Sequence, residues 1–354
     1  MLIPGLRGFG TQASLPLHRL QEAISPAICA ALQNQGYAIV DNIFGNEIAL
    51  QLRDEVKAIR NYMHLNCTHL ISNAGNRSLL PKKDIYEAEL IQPETQAVAP
   101  MCSLLQHDDS LRKALSPALE IKPSAPAPAP APSTAASRHL SHQAIKLQWN
   151  AGDGGCFPMH FDTDASVDNR VITAIWYQNP GWEPEHGGQL RLYPFPLGHP
   201  VDISPVLDRM VLFSSGKMVQ RVLPSFNDRY CFTIWLSASV ASQCVSPKEK
   251  EQQRARVRAG LGKQDLSEIE ASSLLEIEEL RRHAIKWVYR EEWETSLLQS
   301  HPEGKERDEL VTRMKFEIEV IERALRPLLP FLEKWGRESN GGGTMGLYCK
   351  IDWM

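Results

Sequence analysis

Along this chain the spacing of apolar positions shifts from a mostly helical period to a strand period and back again. In "ISPAICAALQNQGYAIVDN", Ile28, Ala31 and Leu32 fall at helical spacing and Gly36 stops the helix. Tyr37 to Val40 is then a compact apolar run that reads as a buried strand. "NEIALQLRDEVKAIRNYMHL" puts Ile48, Leu52, Val56 and Ile59 on one face, which predicts an amphipathic helix. "DIYEAELI" alternates as a strand does, and "ETQAVAPMCSLLQHDDSLRKALS" reads as helical pieces interrupted at Pro100. From Ala144 to Ala241 the period changes. "AIKLQW", "VITAIWYQ", "GQLRLYP", "RMVLFSS", "QRVLP" and "RYCFTIWLSAS" follow one another between clusters of Gly, Pro, Asn and Asp. Short runs so spaced predict the antiparallel strands of a sandwich or barrel.

Beyond Pro247 the helical period returns. "LSEIEASSLLEIEELRRHAIKWVYREEWETSLL" and "GKERDELVTRMKFEIEVIERALRPLLPFLEKW" read as two long helices about the turn "SHPEG". Leu310, Met314, Ile318, Ile321 and Leu325 form a stripe that expects burial against Leu274, Ile277, Leu280 and Ile285 in an antiparallel hairpin. Trp287, Tyr289 and Trp293 fall on the hairpin's outer face, where they either anchor a partner protein or cap the edge of the strand-rich region. "SNGGGTMGLYCKIDWM" closes the chain as a glycine-rich turn and a possible last strand.

Composition refines this plan. "KPSAPAPAPAPSTAAS" alternates Ala and Pro from Ala125 to Pro132, so it can form neither a helix nor a sheet ladder. It reads as an extended, solvated spacer, with a polyproline ligand for a recognition domain as the alternative. The expected organisation is an N-terminal arm (1–24), a helix and strand support (25–121), the Ala/Pro linker (122–143), the strand-rich core (144–245) and a helical extension (246–354). The arm carries Arg7 and Arg19 without acidic residues before Glu22, a faint likeness to a transit peptide, but lacks an amphipathic Arg/Ser-rich helix. A net charge of −4 offers nucleic acid and anionic lipid no counter-surface, and no apolar run approaches the ~18 residues of a membrane span. The 7 cysteines form no C-x-x-C pair. Free thiols in a reducing, cytoplasmic compartment are the expectation.

The chemistry gathers in the strand-rich core. "GGCFPMHFDTD" sets His160 and Asp162 at i and i+2, on one face of an extended strand. One imidazole and one carboxylate are two thirds of the facial triad that holds non-haem Fe(II). "MHFDTDASVDNRVITAIWYQNPGWEPEHGGQLRLYP" and "ISPVLDRMVLFSSGKMVQRVLPSFNDRYCFTIW" together resemble the core of the prolyl 4-hydroxylase type of 2-oxoglutarate/Fe(II)-dependent dioxygenase. The resemblance covers about Ile145 to Ser239 and stops short of the helical tail. It implies an α+β protein built on a double-stranded β-helix, a jelly roll, with N-terminal supporting helices and a C-terminal helical extension. It implies Fe(II) and 2-oxoglutarate as cofactors if the protein is active, with His160 and Asp162 as metal ligands. Arg229 matches the arginine that grips the distal carboxylate of 2-oxoglutarate, and Tyr177 a tyrosine that hydrogen-bonds the same cosubstrate. Thr233, on the strand of Arg229, lines the expected pocket.

One position departs from that pattern. Gln220 stands where the family has its second histidine, and no histidine lies between His199 and the end of the core. His186 and His199 read as turn or solvent-facing residues. An amide oxygen is a far poorer donor to Fe(II) than an imidazole nitrogen. Gln220 is thus a degenerate third metal position. The sequence reading is a dioxygenase-fold protein without catalysis, a protein-binding component of a larger assembly that docks through its helical extension. The alternative is an active 2-oxoglutarate- and Fe(II)-dependent hydroxylase of peptidyl proline.

Overall fold

A computed structural model of the chain describes residues 15–71, 77–120, 139–164, 168–239, 247–263, 265–341 and 351–354. Two short helices, α1 (His18–Ala23) and α2 (Pro26–Gln35), lead in. Pro26 opens α2, and Gly36 closes it at φ 82°, donating its N–H to the Leu32 carbonyl. A Cβ at Gly36 would come within 2.5 Å of Trp353, so the chain's last residues close over this turn. The predicted strand follows as β1 (Tyr37–Asp41), but it is half-buried rather than fully buried. Ala38 and Val40 point inward while Ile39 is exposed, because β1 sits at a sheet edge.

Helix α3 (Asn46–Ala58) buries Ala49, Leu52 and Val56, and a 3-10 turn carries Ile59 into the core. The helix expected through Leu65 ends there. His64–Ile71 is instead strand β2, paired with β3 (Arg77–Glu89) as a hairpin. Helices α4 (Pro93–Val98), α5 (Pro100–His107) and α6 (Ser110–Leu115) follow, broken at the proline as expected. The Ala/Pro spacer lies outside the described residues.

The remaining strands are β4 (Leu140–Asn150), β5 (Gly155–His160), β6 (Arg170–Tyr177), β7 (Leu190–Tyr193), β8 (Val201–Ile203), β9 (Arg209–Ser214), β10 (Val219–Ser225) and β11 (Arg229–Ala238). They form two antiparallel sheets. One has seven strands in the order β1-β9-β6-β11-β4-β3-β2, the other four in the order β5-β10-β7-β8. From β4 to β11 successive strands alternate between the sheets, as in a jelly roll, except that β7 and β8 pair as neighbours in the smaller one. The larger sheet, α2, α3 and the short helices bury one core around Leu32, Leu52, Trp176, Phe213 and Phe232.

The helical extension is more broken than expected. It comprises α7 (Pro247–Leu261), α8 (Glu268–Leu274), α9 (Glu278–Val288), α10 (Arg290–Ser300), α11 (Lys305–Ala324) and α12 (Leu329–Gly341). The first expected long helix breaks at Leu275–Ile277 and again at Tyr289. The second breaks at Pro327, which cannot continue the ladder. These breaks let the helices wrap the smaller sheet. Met159, Tyr193, Phe195 and Val219 of the barrel join Leu280, Trp287, Tyr289, Trp293 and Trp335 in a second core. Met314, Ile318, Ile321 and Leu325 of the expected stripe are buried in the same cluster and Leu310 packs half-buried against it, with Val311 buried beside them, so the stripe is covered within the chain.

Trp287, Tyr289 and Trp293 are therefore not an outer docking face. At 4%, 4% and 8% exposure they cap the barrel. The reading that gave them to a partner is corrected by this packing. Of the closing residues, Ile351, Trp353 and Met354 are buried and Asp352 is exposed; 351–354 carry no strand, and most of the glycine-rich segment before them lies outside the described residues. Among the described residues no helix is long and apolar enough to cross a membrane, and Cys29, Cys67, Cys102, Cys156 and Cys231 are free thiols.

Candidate functional site

The end of β5 meets β10 across the smaller sheet with His160 and Gln220 as register partners. Asp162 follows in the turn after β5, held by its own N–H to the Ser215 carbonyl at 3.0 Å. Backbone pairing thus brings His160, Asp162 and Gln220 to one point. Gln220 Nε2 lies 2.8 Å from His160 Nε2 and 2.9 Å from Asp162 Oδ1. His160 Nδ1 is 2.8 Å from the Pro158 carbonyl, an acceptor only, so Nδ1 carries the proton and Nε2 presents its lone pair. The two N–H groups of the Gln220 amide then serve two acceptors, the imidazole and the carboxylate. The amide faces them with its nitrogen because its oxygen would meet a carboxylate.

Asp162 is buried and firmly positioned. Its Oδ2 accepts from Thr173 Oγ1 at 2.6 Å and from Trp235 Nε1 at 3.0 Å. Burial works to raise this carboxyl. Its contacts with His160, Thr173 and Gln220 outweigh that and hold it below the usual carboxylate range.

Arg229 opens β11 on the inward face. Its Nε donates to the Gly188 carbonyl at 3.0 Å, and its guanidinium lies 4.9 Å over the Tyr177 ring. Gly188 is at φ 67°, and a Cβ there would meet Ser225 Oγ at 2.9 Å and Arg229 Cδ at 3.0 Å. This close approach accounts for one glycine of the G-G-x-L-R-L-Y hairpin. Thr233 Oγ1 donates to Gln148 Oε1 at 3.2 Å. A cavity of about 140 Å³ is lined by Gln148, His160, Asp162, Gln220, Arg229 and Thr233, among others. Tyr177 shares the inward face, but it is fully buried beneath the guanidinium and is not part of the cavity wall. Burial pushes its phenol well up.

Thr173, Trp235 and Gln148 also serve this site and were not among the residues predicted for it. Trp235 shares strand parity with Arg229 and Thr233, so alternation along β11 would have found it. Gln148 needed the pairing of β4 with β11, in which it faces Cys231. The cavity rim carries Glu87, which pairs with Lys146 at 2.8 Å and bonds Asn66. Lys82 donates to Asn66 Oδ1, and burial pulls its ammonium down to about 8. His186 accepts the Glu183 N–H in a tight turn and packs edge-on to Trp182, so it is a turn residue as expected. His199 lies in the loop between β7 and β8 and does not reach the cavity wall.

These residues fit half of a dioxygenase centre. Among the described residues no three His, Cys, Asp or Glu side chains cluster as a metal site would need. The third position is an amide whose N–H groups, not a lone pair, face His160 and Asp162. That arrangement does not fit Fe(II). The anion half does fit a carboxylate, since Arg229 Nη2 is buried without a hydrogen-bond partner.

Residues 145–237 match the family model described as the 2OG-Fe(II) oxygenase superfamily. The chain is 27% identical over 241 residues to Egl nine homolog 1 of Rattus norvegicus, covering 65% of this chain and 63% of that protein. It is 36% identical over 86 residues to prolyl hydroxylase EGLN3 of Mus musculus, covering 24% of this chain and 36% of the relative. The chain thus spans less than two thirds of the length of these curated relatives. A solved structure of a prolyl 4-hydroxylase from Phytophthora capsici superimposes with a TM-score of 0.65 at 27% identity, over 95% of this chain and 99% of that one. That superposition runs past the barrel into the C-terminal helices, so the likeness is wider than the core motifs alone implied. Over its jelly roll this chain is thus similar to the 2OG-Fe(II) oxygenase superfamily, and the proteins it resembles include prolyl hydroxylases.

Proposed function

We propose that this protein is a prolyl 4-hydroxylase-like member of that fold which has given up iron chemistry and works by binding. The observation that carries this reading is the Gln220 amide, which occupies both metal-facing atoms of His160 and Asp162 with its own N–H groups. On this reading Gln220 replaces the family's second metal histidine, and the barrel is kept as a rigid body for protein contact within a larger assembly. The helical extension offers the contact surface, for Phe316 and Val320 stand exposed at i and i+4 on α11. The test is the iron content of purified wild type beside Gln220→His, with succinate release from 2-oxoglutarate measured aerobically. Wild type is expected to carry iron far below one equivalent and to release no succinate, while the histidine variant gains iron. Stoichiometric iron in the wild type together with substrate-dependent succinate release would overturn the reading.

A second reading is favoured by one observation. The Phytophthora capsici prolyl 4-hydroxylase matches nearly the whole chain, helical extension included. Under this reading the protein is an active hydroxylase of peptidyl proline that uses Fe(II) and 2-oxoglutarate. It expects His160→Ala to abolish turnover of a proline peptide; equal inertness of wild type and variant removes its support.

A further inference from the structure

The cavity holds a second buried orphan besides Arg229 Nη2. Gln220 Oε1 has no hydrogen-bond partner, and Gln220 and Arg229 are only 4% and 3% exposed. Both residues line the same cavity of about 140 Å³, room for a small molecule. The two orphans have opposite demands. Arg229 Nη2 is a cationic donor and needs an acceptor, best a carboxylate. Gln220 Oε1 is an acceptor and needs an N–H or O–H. Its orientation is not free, because the amide nitrogen is committed to His160 and Asp162. Asp162 adds a negative charge that no cation within ion-pair range among the described residues offsets, since the His160 Nε2 3.3 Å away presents its lone pair. The cavity thus combines a carboxylate subsite with an acceptor subsite beside an anion.

We propose that this cavity binds, without metal, a small carboxylic acid bearing an ammonium or hydroxyl group, an amino acid before all, rather than a 2-oxo acid. The inference rests on the reading of Gln220 as a residue that has replaced the metal. A 2-oxo group and its neighbouring carboxylate are acceptors throughout. Placed against Gln220 Oε1 and Asp162 they would leave the amide oxygen unpaired and set like charges together. An ammonium in the same place donates to Oε1 and faces the Asp162 charge, while the carboxylate takes the Arg229 fork. A hydroxyl satisfies Oε1 but does nothing for the charge. The expected order is therefore ammonium, then hydroxyl, then oxo.

Glutamate, 2-hydroxyglutarate and 2-oxoglutarate share one carbon skeleton and differ only at the second carbon, so they are the probes. Calorimetric titration of the full-length protein in chelator should show glutamate binding about tenfold to a hundredfold more tightly than 2-oxoglutarate, with 2-hydroxyglutarate between. Arg229→Gln should weaken glutamate at least about tenfold, with a thermal melt to establish that the variant is folded. Gln220→His, which removes the acceptor, should erase the preference even if the arginine variant fails to fold. Two outcomes overturn this inference and leave the non-catalytic reading standing: no acid binds, or 2-oxoglutarate binds in chelator as tightly as glutamate. Binding of 2-oxoglutarate only when Fe(II) is supplied, with succinate released, overturns both.

Discussion

Gln220 does structurally what a cation would do electrostatically: it joins an imidazole and a buried carboxylate that share a face. The joint has consequences for stability. Gln220→Ala would leave the buried Asp162 Oδ1 without its amide donor, a loss of about 1–3 kcal/mol that denaturant unfolding would detect. Gln220→Glu makes a sharper test. The introduced carboxyl would sit against Asp162, so its folded pKa rises above the unfolded value of about 4.3. A carboxyl with a raised folded pKa costs stability as pH climbs from the unfolded value to the folded one. The variant should therefore approach wild type near pH 4 and fall behind it towards neutrality. Asp162 runs the other way. Its folded pKa is depressed, so it contributes stability that is complete above about 3.9 and is lost as pH falls through the folded value. The stability difference between wild type and Asp162→Asn should shrink in acid over that window.

At the scale of elements, α10 is the piece that ties the extension to the site. Ser296 Oγ accepts the Met159 N–H at 2.9 Å, one residue before His160. Glu292 takes Arg191 at 2.9 Å, Arg221 at 3.5 Å and the Tyr193 hydroxyl, so one carboxylate binds β7 and β10 to the helix. Trp293, on the same helix, fills the second core. Trp293→Ala should cost about 3–5 kcal/mol in the isolated chain, read by thermal or chemical unfolding. Unchanged stability with a lost partner would instead restore the docking role that its burial argues against. The break at Tyr289 was not legible in "HAIKWVYREEWETSLL", since nothing in that run forbids a continuous helix. At the break Tyr289 packs edge-on to Tyr193 and beside Phe195, contacts set by tertiary packing rather than by the local sequence. Strand β2 was missed for a related reason. His64, Asn66 and Thr68 alternate with Leu65 and Cys67, but the run follows a strong helix, and only pairing with β3 separates them.

For the whole molecule, the extension and the barrel are parts of one packing problem. The second core draws its side chains from both, and Met159 and Val219 flank the site residues His160 and Gln220. Removing residues 246–354 would expose Met159, Tyr193, Phe195 and Val219 as a contiguous apolar face. The truncated chain should bind a hydrophobic dye or aggregate, whereas an independent appended arm would leave a soluble barrel with an unchanged melt.

The sequence by itself determined the period of each segment, and hence the antiparallel strands, the helical support and the apolar stripe on α11. It also carried the site residues, because H-x-D and the arginine on β11 are local patterns and strand parity puts Arg229 and Thr233 on one face. Only tertiary structure decided what Gln220 does. Sequence marks it as a poor metal donor, but register with His160 and the fixed tautomer turn it into a two-handed hydrogen-bond donor with an orphan oxygen in the cavity. It also decided where Trp287, Tyr289 and Trp293 go. An apolar face must be covered, which the pattern of the chain can state. Which surface covers it depends on the shape of a sheet assembled from residues far away in the chain, and that shape exists only once the barrel has closed.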